Sequence, residues 1–143
     1  MKDKVFIDTN VLVYAKLEDK NNQKKREVAI GLIQQIQDYP IISVQVLNEF
    51  ANVLIKHHVA DKDIKEATRE IIEDSIILPI DLAIVWETWH VRDSYLFSYW
   101  DSMIVSAAIV GGCNILYSED LQHDQIIDNR VRIINPFHGI KSM

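Results

Sequence analysis

The sequence is poor in residues that cross-link or interrupt a chain. Of its 143 residues, one is cysteine, three are proline and four are glycine. A single cysteine excludes an internal disulfide bond, so we expect a reducing, cytoplasmic location. The scarcity of proline and glycine, without any repeat or low-complexity tract, predicts a single domain over residues 1–143 with no flexible linker.

Long hydrophobic runs and an excess of positive charge are also missing. No uncharged apolar stretch reaches about 18 residues and the first residues lack the features of a signal peptide, so we expect no membrane span. The chain has 15 Lys and Arg against 21 Asp and Glu, a net charge of −6. This balance disfavours a basic nucleic-acid-binding surface, unless bound divalent metal reverses the charge locally.

Short apolar segments alternate with amphipathic ones along the chain. Strands are predicted at 5–7, 41–43, 76–80, 115–118 and 131–135. Helices are predicted to begin at 11–17 and to cover 26–38, 45–58, 61–74, 81–95 and 101–111. The alternation predicts an α/β sandwich around a mainly parallel sheet. The last of these helices is apolar nearly all round and its few polar residues are small, so we expect it to be buried and to end at Gly111 and Gly112.

Acidic residues occupy the positions where parallel sheets place functional groups. Asp8 follows the first strand, Asp120 lies just beyond the fourth, and Asp101 opens the buried helix. Because the carboxyl ends of parallel strands share one edge, we expect Asp8 and Asp120 to lie together. Glu49 lies beside the apolar stripe of its helix, from where it can point into a cleft. In simpler interpretations, these residues only cap helices, form turns or face solvent.

Four carboxylates that share a pocket repel one another, and a cluster of this kind is stable only if cations bind. Oxygen ligands alone suit Mg²⁺ or Mn²⁺ rather than zinc. No histidine forms a helical i, i+4 pair with a carboxylate, which also argues against zinc. The sequence therefore predicts a site for a hard divalent cation.

Four motifs, in this order, resemble those of the PIN domain family. They are DTN at 8–10, VLNEF at 46–50, YWDS at 99–102 and LYSEDL at 116–121. The sequence is most similar to the VapC-type toxins of bacterial toxin–antitoxin pairs, from residue 4 to residue 137. The resemblance implies a three-layer α/β/α sandwich with a central, mainly parallel sheet of about five strands.

The resemblance also implies a metal-dependent endoribonuclease that hydrolyses RNA phosphodiester bonds. Its catalytic residues, which would also ligate Mg²⁺ or Mn²⁺, are Asp8, Glu49, Asp101 and Asp120. The residues that would support them are Thr9, Asn10, Ser118 and Glu119. Glu119 is also an alternative to Asp120 as the fourth ligand. One departure from the family pattern is Asp124, where many relatives carry glycine. This aspartate adds a negative charge near the site.

The partners implied by the resemblance are an RNA substrate, a small antitoxin protein and a second copy of the chain. The antitoxin would block the acidic cleft, for instance with an arginine. The homodimer would use the apolar helices at 45–58 and 81–95. Two alternatives stay open, a non-catalytic PIN-like module that binds RNA or protein and a stand-alone RNA-processing nuclease. The complete acidic set disfavours the first. A phosphatase-like or receiver-type domain with clustered acids is disfavoured because no lysine stands at the end of the fourth strand.

Two further expectations concern residues outside the acidic motifs. The basic run Lys24-Lys25-Arg26 is expected to be a solvated surface. The tryptophans are expected to pack in the core of their helices, although exposed indoles can stack on bases. These three residues are Trp86, Trp89 and Trp100.

Overall fold

The sheet consists of short strands, and the computed structural model describes residues 2–140. Within that range the strands are β1 (Val5–Ile7), β2 (Ile41–Ser43), β3 (Ile76–Leu78), β4 (Ile115–Tyr117), β5 (Ile126–Ile127) and β6 (Val131–Ile134). Residue 1 and residues 141–143 of the predicted domain lie outside the described residues.

Helices connect most of these strands. They are α1 (Thr9–Lys16), α2 (Gln23–Gln35), α3 (Val44–Lys56), α4 (Asp61–Glu73), α5 (Leu82–Tyr95) and α6 (Tyr99–Val110). A single 3₁₀ turn at Lys20–Asn22 precedes α2. Helices α1 to α4 pack on one another, and α5 packs against α6, so two helical groups flank the sheet. No helix of residues 2–140 is long and apolar enough to cross a membrane.

The strand order is β3-β2-β1-β4-β6-β5, and every neighbouring pair is parallel except β5 with β6. The predicted α/β fold with a mainly parallel sheet is confirmed. The sheet has one more strand than expected, because β5 is a two-residue antiparallel strand at the edge. The chain proceeds outwards from β1 in both directions, so the strand order reverses between β1 and β4. In open α/β sheets, ligands bind beside the carboxyl ends of the strands at such a point.

The core lies along β1 and α6. Phe6 and Ile7 are fully buried, as expected of a central parallel strand that is covered on both faces. In α6 every residue from 102 to 109 is buried, which confirms the prediction from its small polar residues. Gly111 ends this helix as predicted. A Cβ at Gly111 would lie 2.9 Å from the Leu78 side chain of β3, so glycine allows the close approach of helix and strand.

The lone thiol lies just beyond α6. Cys113 is 3% exposed, and its backbone N–H donates to the carbonyl of Ala108 at 2.9 Å. Burial raises the pKa of the Cys113 thiol to about 11, although the nearby Lys4 acts in the opposite direction. The cysteine is therefore a small buried apolar residue, with little thiolate at neutral pH.

The prediction that the tryptophans pack in the core is wrong. The exposed fractions of Trp86, Trp89 and Trp100 are 72%, 45% and 61%. Leu82 is also 75% exposed, and with Trp86 and Trp89 it forms a stripe at i, i+4 and i+7 along α5. We call these three residues the α5 stripe. A stripe of this kind is an exposed apolar face, which is often an interaction surface.

Candidate active site

Asp8 lies at the carboxyl end of β1, where the strand turns into α1. Its backbone N–H donates to the carbonyl of Tyr117 at the end of β4, at 2.9 Å. One carboxylate oxygen caps α1 by accepting from the backbone N–H of Thr9 at 2.7 Å, and the other accepts from the Ser118 hydroxyl at 2.8 Å. The capping interpretation of Asp8 is therefore also satisfied, and capping leaves lone pairs of both oxygens free for other ligands.

The protonation of Asp8 is strongly perturbed. Burial raises the pKa of its carboxyl from 3.8 to about 7. The bonds from Ser118 and Thr9 oppose this rise in pKa, while the negative charges of Asp120 and Glu49 add to it. A buried carboxylate among other carboxylates is a group whose charge a bound cation would stabilise.

Glu49 projects from α3 and is held on both sides. The Thr9 hydroxyl donates to one of its oxygens at 2.8 Å, and the Gln45 amide donates to the other at 3.3 Å. The same amide donates to the backbone carbonyl of Trp100 at 3.1 Å, so Gln45 links α3 to the start of α6. Gln45 was not predicted from the sequence, although its position four residues before Glu49 puts both on one helical face.

Asp101 lies in the first turn of α6. Ser98 is the N-cap of that helix, and its hydroxyl accepts from the backbone N–H of Asp101 at 3.1 Å. The interpretation of Asp101 as only a cap is therefore wrong. Burial raises the pKa of the Asp101 carboxyl, and the charge of Asp120 adds to this effect. The favourable bond from Ser98 lowers the pKa but does not cancel the rise.

Asp120 follows β4 and lies beside Asp8. The Asn10 amide donates to its carboxylate at 3.0 Å, and its backbone N–H donates to the Ser118 hydroxyl at 3.2 Å. The adjacent Glu119 instead accepts a hydrogen bond from the hydroxyl of Tyr14 in α1, at 2.6 Å. The two neighbouring acids therefore have different surroundings, and Asp120 is the one that shares a pocket with the other three.

The expectation that Lys24-Lys25-Arg26 is wholly solvated is wrong for its central residue. Lys25 has a side chain only 11% exposed, and its ammonium lies 2.6 Å from a carboxylate oxygen of Glu119. Burial lowers the pKa of Lys25, and its bonds to Glu119 and Tyr14 outweigh this, so the pKa is above its ordinary value. Glu119 is thus neutralised by a protein cation.

One pocket of about 480 Å³ brings the four predicted acids together. A fifth carboxylate, which was not predicted from the sequence, also lines it; the five are Asp8, Asp19, Glu49, Asp101 and Asp120. No lysine or arginine is among the described residues that line the pocket, and His57 is the one lining residue able to carry a positive charge. Asp19 lies in a polar loop that gives no sequence signal of its place here. The pocket is thus strongly negative, without an internal counter-charge.

The donor chemistry of this pocket fits Mg²⁺ or Mn²⁺. Carboxylate oxygens are the ligands that these hard cations prefer, and the raised carboxyl pKa of Asp8 shows the strain that a cation would relieve. Among residues 2–140, no three of these carboxylates have oxygens within 4.8 Å of one another. The arrangement therefore fits a hydrated cation, because Mg²⁺ usually keeps several waters, and not a closed cage of direct ligands.

Within the described residues, a tighter group of ligand atoms lies elsewhere. Glu87, His90 and Asp128 each place one ligand atom within 4.8 Å of the others. Helical spacing brings Glu87 and His90 together at i, i+3, whereas the hairpin before β6 supplies Asp128. This group was not predicted from the sequence, because it is not an i, i+4 pair within one helix. In the structure His90 Nε2 lies within hydrogen-bond distance of Asp128 Oδ2, at 3.1 Å.

Asp124, where the resemblance led us to expect glycine, adopts a glycine-like conformation. Its φ of +68° lies in the left-handed region, which aspartate tolerates better than most residues. The Arg132 guanidinium binds its carboxylate and, as the largest cause, lowers the pKa of that carboxyl. The extra negative charge expected near the site is therefore balanced by Arg132, and Asp124 is not among the residues that line the acidic pocket.

These features define an α/β protein with a carboxylate-lined pocket at the point where its strand order reverses. The PIN domain family model matches residues 5–128. The chain belongs to the PIN domain family, as the motifs predicted. No curated protein matches the chain.

Solved structures with the same fold include proteins of toxin–antitoxin systems. A toxin–antitoxin complex from Klebsiella pneumoniae has a TM-score of 0.68 at 18% identity, over 93% of this chain and 97% of that one. VapC20 of Mycobacterium tuberculosis, a toxin that cleaves the sarcin-ricin loop, has a TM-score of 0.66 at 15% identity, over 80% of this chain and 88% of that one. VapBC2 of Rickettsia felis, bound to a promoter DNA fragment, has a TM-score of 0.63 at 16% identity, over 92% and 98%. This chain is similar to these proteins in fold.

Proposed function

We propose that this protein is a divalent-metal-dependent endoribonuclease. The observation that carries the proposal is the pocket lined by five carboxylate residues and, among the described residues, by no lysine or arginine. In a member of the PIN domain family, such a pocket is suited to bring a cation and a phosphodiester together. Mg²⁺ or Mn²⁺, when bound, would neutralise the phosphate charge and lower the pKa of the attacking water.

In this proposal the protein's own residues hold and orient that chemistry. Asp8, Asp101 and Asp120 would hold the hydrated cation, and Asp8 is kept in place by Ser118. Glu49 orients the attacking water or binds the cation through water, because Thr9 and Gln45 already fix the direction of its carboxylate. The supporting role predicted for Glu119 becomes indirect, since its charge is committed to a lysine.

The test measures cleavage of a single-stranded RNA oligonucleotide pool with Mg²⁺ or Mn²⁺. The variant Asp101→Asn should lose activity at least about 100-fold, because the carboxylate is a proposed ligand, with little change in stability. The matched control is Asp93→Asn, an exposed carboxylate on α5, which should leave the rate unchanged. Cleavage that survives both EDTA and the Asp101→Asn change would refute the metal mechanism.

The biological role that we propose is the toxin of a toxin–antitoxin pair. The family membership and the toxin–antitoxin neighbours support this role. An antitoxin could place an arginine in the acidic pocket, where its guanidinium would bind two carboxylates.

Expression of the chain should arrest growth, and co-expression of a small neighbouring gene should relieve the arrest. A chain that cleaves RNA without arresting growth would be a stand-alone RNA-processing nuclease, and one that binds but never cleaves would be a non-catalytic module. The cytoplasmic location and the single-domain organisation stay predictions.

A homodimer is also part of the proposal. The predicted contact helix 81–95 carries the α5 stripe, whose members are 45% to 75% exposed. Burying such a stripe against a second copy would remove apolar surface from water. Light scattering should give the mass of a dimer, and Trp86→Glu should shift it to a monomer. Ile72→Glu, at an exposed position of α4, is the matched control and should leave the dimer intact. A monomeric wild-type protein would contradict this part.

A further inference from the structure

Lys25 is a largely buried cation whose charge is paired with the carboxylate of Glu119. Its ammonium lies 2.6 Å from one oxygen of Glu119, whose side chain is 23% exposed. The ammonium also lies 3.4 Å from the Tyr14 hydroxyl and near the rings of Tyr14 and Phe137, with centroids at 5.1 and 5.9 Å. A charge buried in this way is tolerable only when it is paired, so Lys25 and Glu119 are held together.

Glu119 is in turn held through both its side chain and its backbone. Its second oxygen accepts from the Tyr14 hydroxyl at 2.6 Å, and its backbone N–H donates to the Asn10 side-chain oxygen at 3.2 Å. The other end of the same Asn10 amide donates to Asp120 at 3.0 Å. The segment from 118 to 120 is therefore tied from the side of α1 and α2. With Glu119 held on that side, its neighbour Asp120 faces the acidic pocket.

We propose that Lys25 and Tyr14 are positioning residues of the metal site. They hold the Glu119 side chain, and this fixes the backbone on which Asp120 presents its carboxylate to the pocket. The inference rests on the proposed function, because it takes Asp120 as a cation ligand. Partners of this kind, one bond away from the ligands, often change metal affinity by about 10- to 100-fold when they are removed.

Electrostatics and positioning predict opposite effects for one substitution. Removing the Lys25 charge makes the neighbourhood of the pocket more negative, which by Coulomb's law alone would strengthen cation binding. Removing the contact also releases Glu119 and the segment that carries Asp120, which would weaken cation binding. Lys25→Met therefore separates the two effects by the sign of the change. Met keeps most of the apolar length of the lysine stem.

The experiment measures Mn²⁺ binding to the full chain by calorimetry. Lys25→Met should raise the Mn²⁺ dissociation constant about 10-fold. The matched control Lys24→Met removes an adjacent, exposed lysine of α2 and should change it less than about twofold, since exposed charges are strongly screened. Tyr14→Phe removes a single hydroxyl and should weaken binding several-fold; it carries the test if Lys25→Met does not fold.

A second readout excludes a merely structural role. In RNA cleavage, the Mn²⁺ concentration for half-maximal rate should rise with Lys25→Met, while kcat at saturating Mn²⁺ stays within about threefold of wild type. A higher metal requirement with nearly unchanged kcat would mean that saturating Mn²⁺ restores the geometry of the site. Unchanged or tighter Mn²⁺ binding by folded Lys25→Met and Tyr14→Phe would overturn the inference, as would a lower kcat at an unchanged metal requirement. If the wild type binds Mn²⁺ and cleaves RNA in those cases, the proposed function stands; if it does neither, both fail.

Discussion

Asp8→Asn is expected to stabilise the metal-free protein, although it removes a proposed catalytic group. Asp8 is 4% exposed, and the pKa of its carboxyl is raised from 3.8 to about 7, chiefly by burial. At pH values between these two, the folded state keeps a proton that the unfolded state has released. The free energy of unfolding must therefore fall as the pH rises from about 4 to about 7.

The size of the effect follows from the pKa. A tenfold change in proton affinity is worth about 1.4 kcal/mol, so the full destabilisation by the Asp8 charge at pH 8 is at most about 4 kcal/mol. Water entry and relaxation reduce this figure, and we expect about 2 to 4 kcal/mol. An asparagine would remove the charge, and its amide oxygen could still accept from the Thr9 backbone N–H while its NH₂ donates to the Ser118 hydroxyl oxygen.

The assay is urea denaturation in EDTA at pH 5 and at pH 8. The difference in unfolding free energy between Asp8→Asn and wild type should grow by about 1 to 3 kcal/mol from pH 5 to pH 8. Changes in hydrogen bonding that do not involve protons cancel from this comparison, and Asp93→Asn controls for the loss of one exposed negative charge. A difference that is equal at both pH values would refute the reasoning, since it would mean that Asp8 ionises as readily in the folded state as in the unfolded one.

Three further predictions concern stability and use the same urea assay. Gly111→Ala should destabilise the protein by about 1 to 3 kcal/mol, because the new Cβ would lie 2.9 Å from the Leu78 side chain, whereas Gly31→Ala, with nothing within 4 Å, should stabilise it by about 0.5 to 1 kcal/mol; equal effects would contradict this. Phe6→Ala should cost about 3 to 5 kcal/mol because Phe6 is fully buried, and a loss below about 1 kcal/mol would mean that the core is not closed around it. Asp81→Ala should cost about 1 kcal/mol, since Asp81 caps α5 through the N–H of Ile84; an unchanged midpoint would argue against the cap.

The meeting of Asp8 and Asp120 was predictable from the sequence because it depends on sheet geometry alone. Ile7 pairs with Tyr117 in register, so the residues that follow these two strands are neighbours. The strand pattern indicates which acids follow buried strands, and parallel pairing brings their carboxyl ends to the same edge. The helical position of Glu49 was predictable in the same way, from the periodicity of the apolar residues around it.

The ion pair between Lys25 and Glu119 was not predictable by this route. The two residues are 94 positions apart, and neither belongs to an apolar pattern that would fix its side. A basic run in an amphipathic helix is normally solvated, so local pattern gave the wrong environment for Lys25. The choice between Glu119 and Asp120 as a pocket residue depends on this contact, and it could be made only in three dimensions.

The environment of α5 and the presence of strand β5 could not be predicted from the sequence, for a different reason. Apolar residues lie on all sides of α5, so periodicity does not separate a buried face from the exposed Trp86 and Trp89. Strand β5 has two residues, which is too short to show any alternation. Both features are decided by what packs against the segment, and a local pattern carries no information about that.

The buried Cys113 makes the molecule suitable as its own reporter of opening motions. An alkylating reagent reacts with thiolate, and a thiol with a pKa of about 11 that is shielded by the end of α6 offers almost none in the closed state. Modification at neutral pH would therefore proceed only through molecules in which the region around Cys113 has transiently unfolded. Because there is one cysteine in the whole chain, the mass increase from a single adduct would time those events without any engineered label.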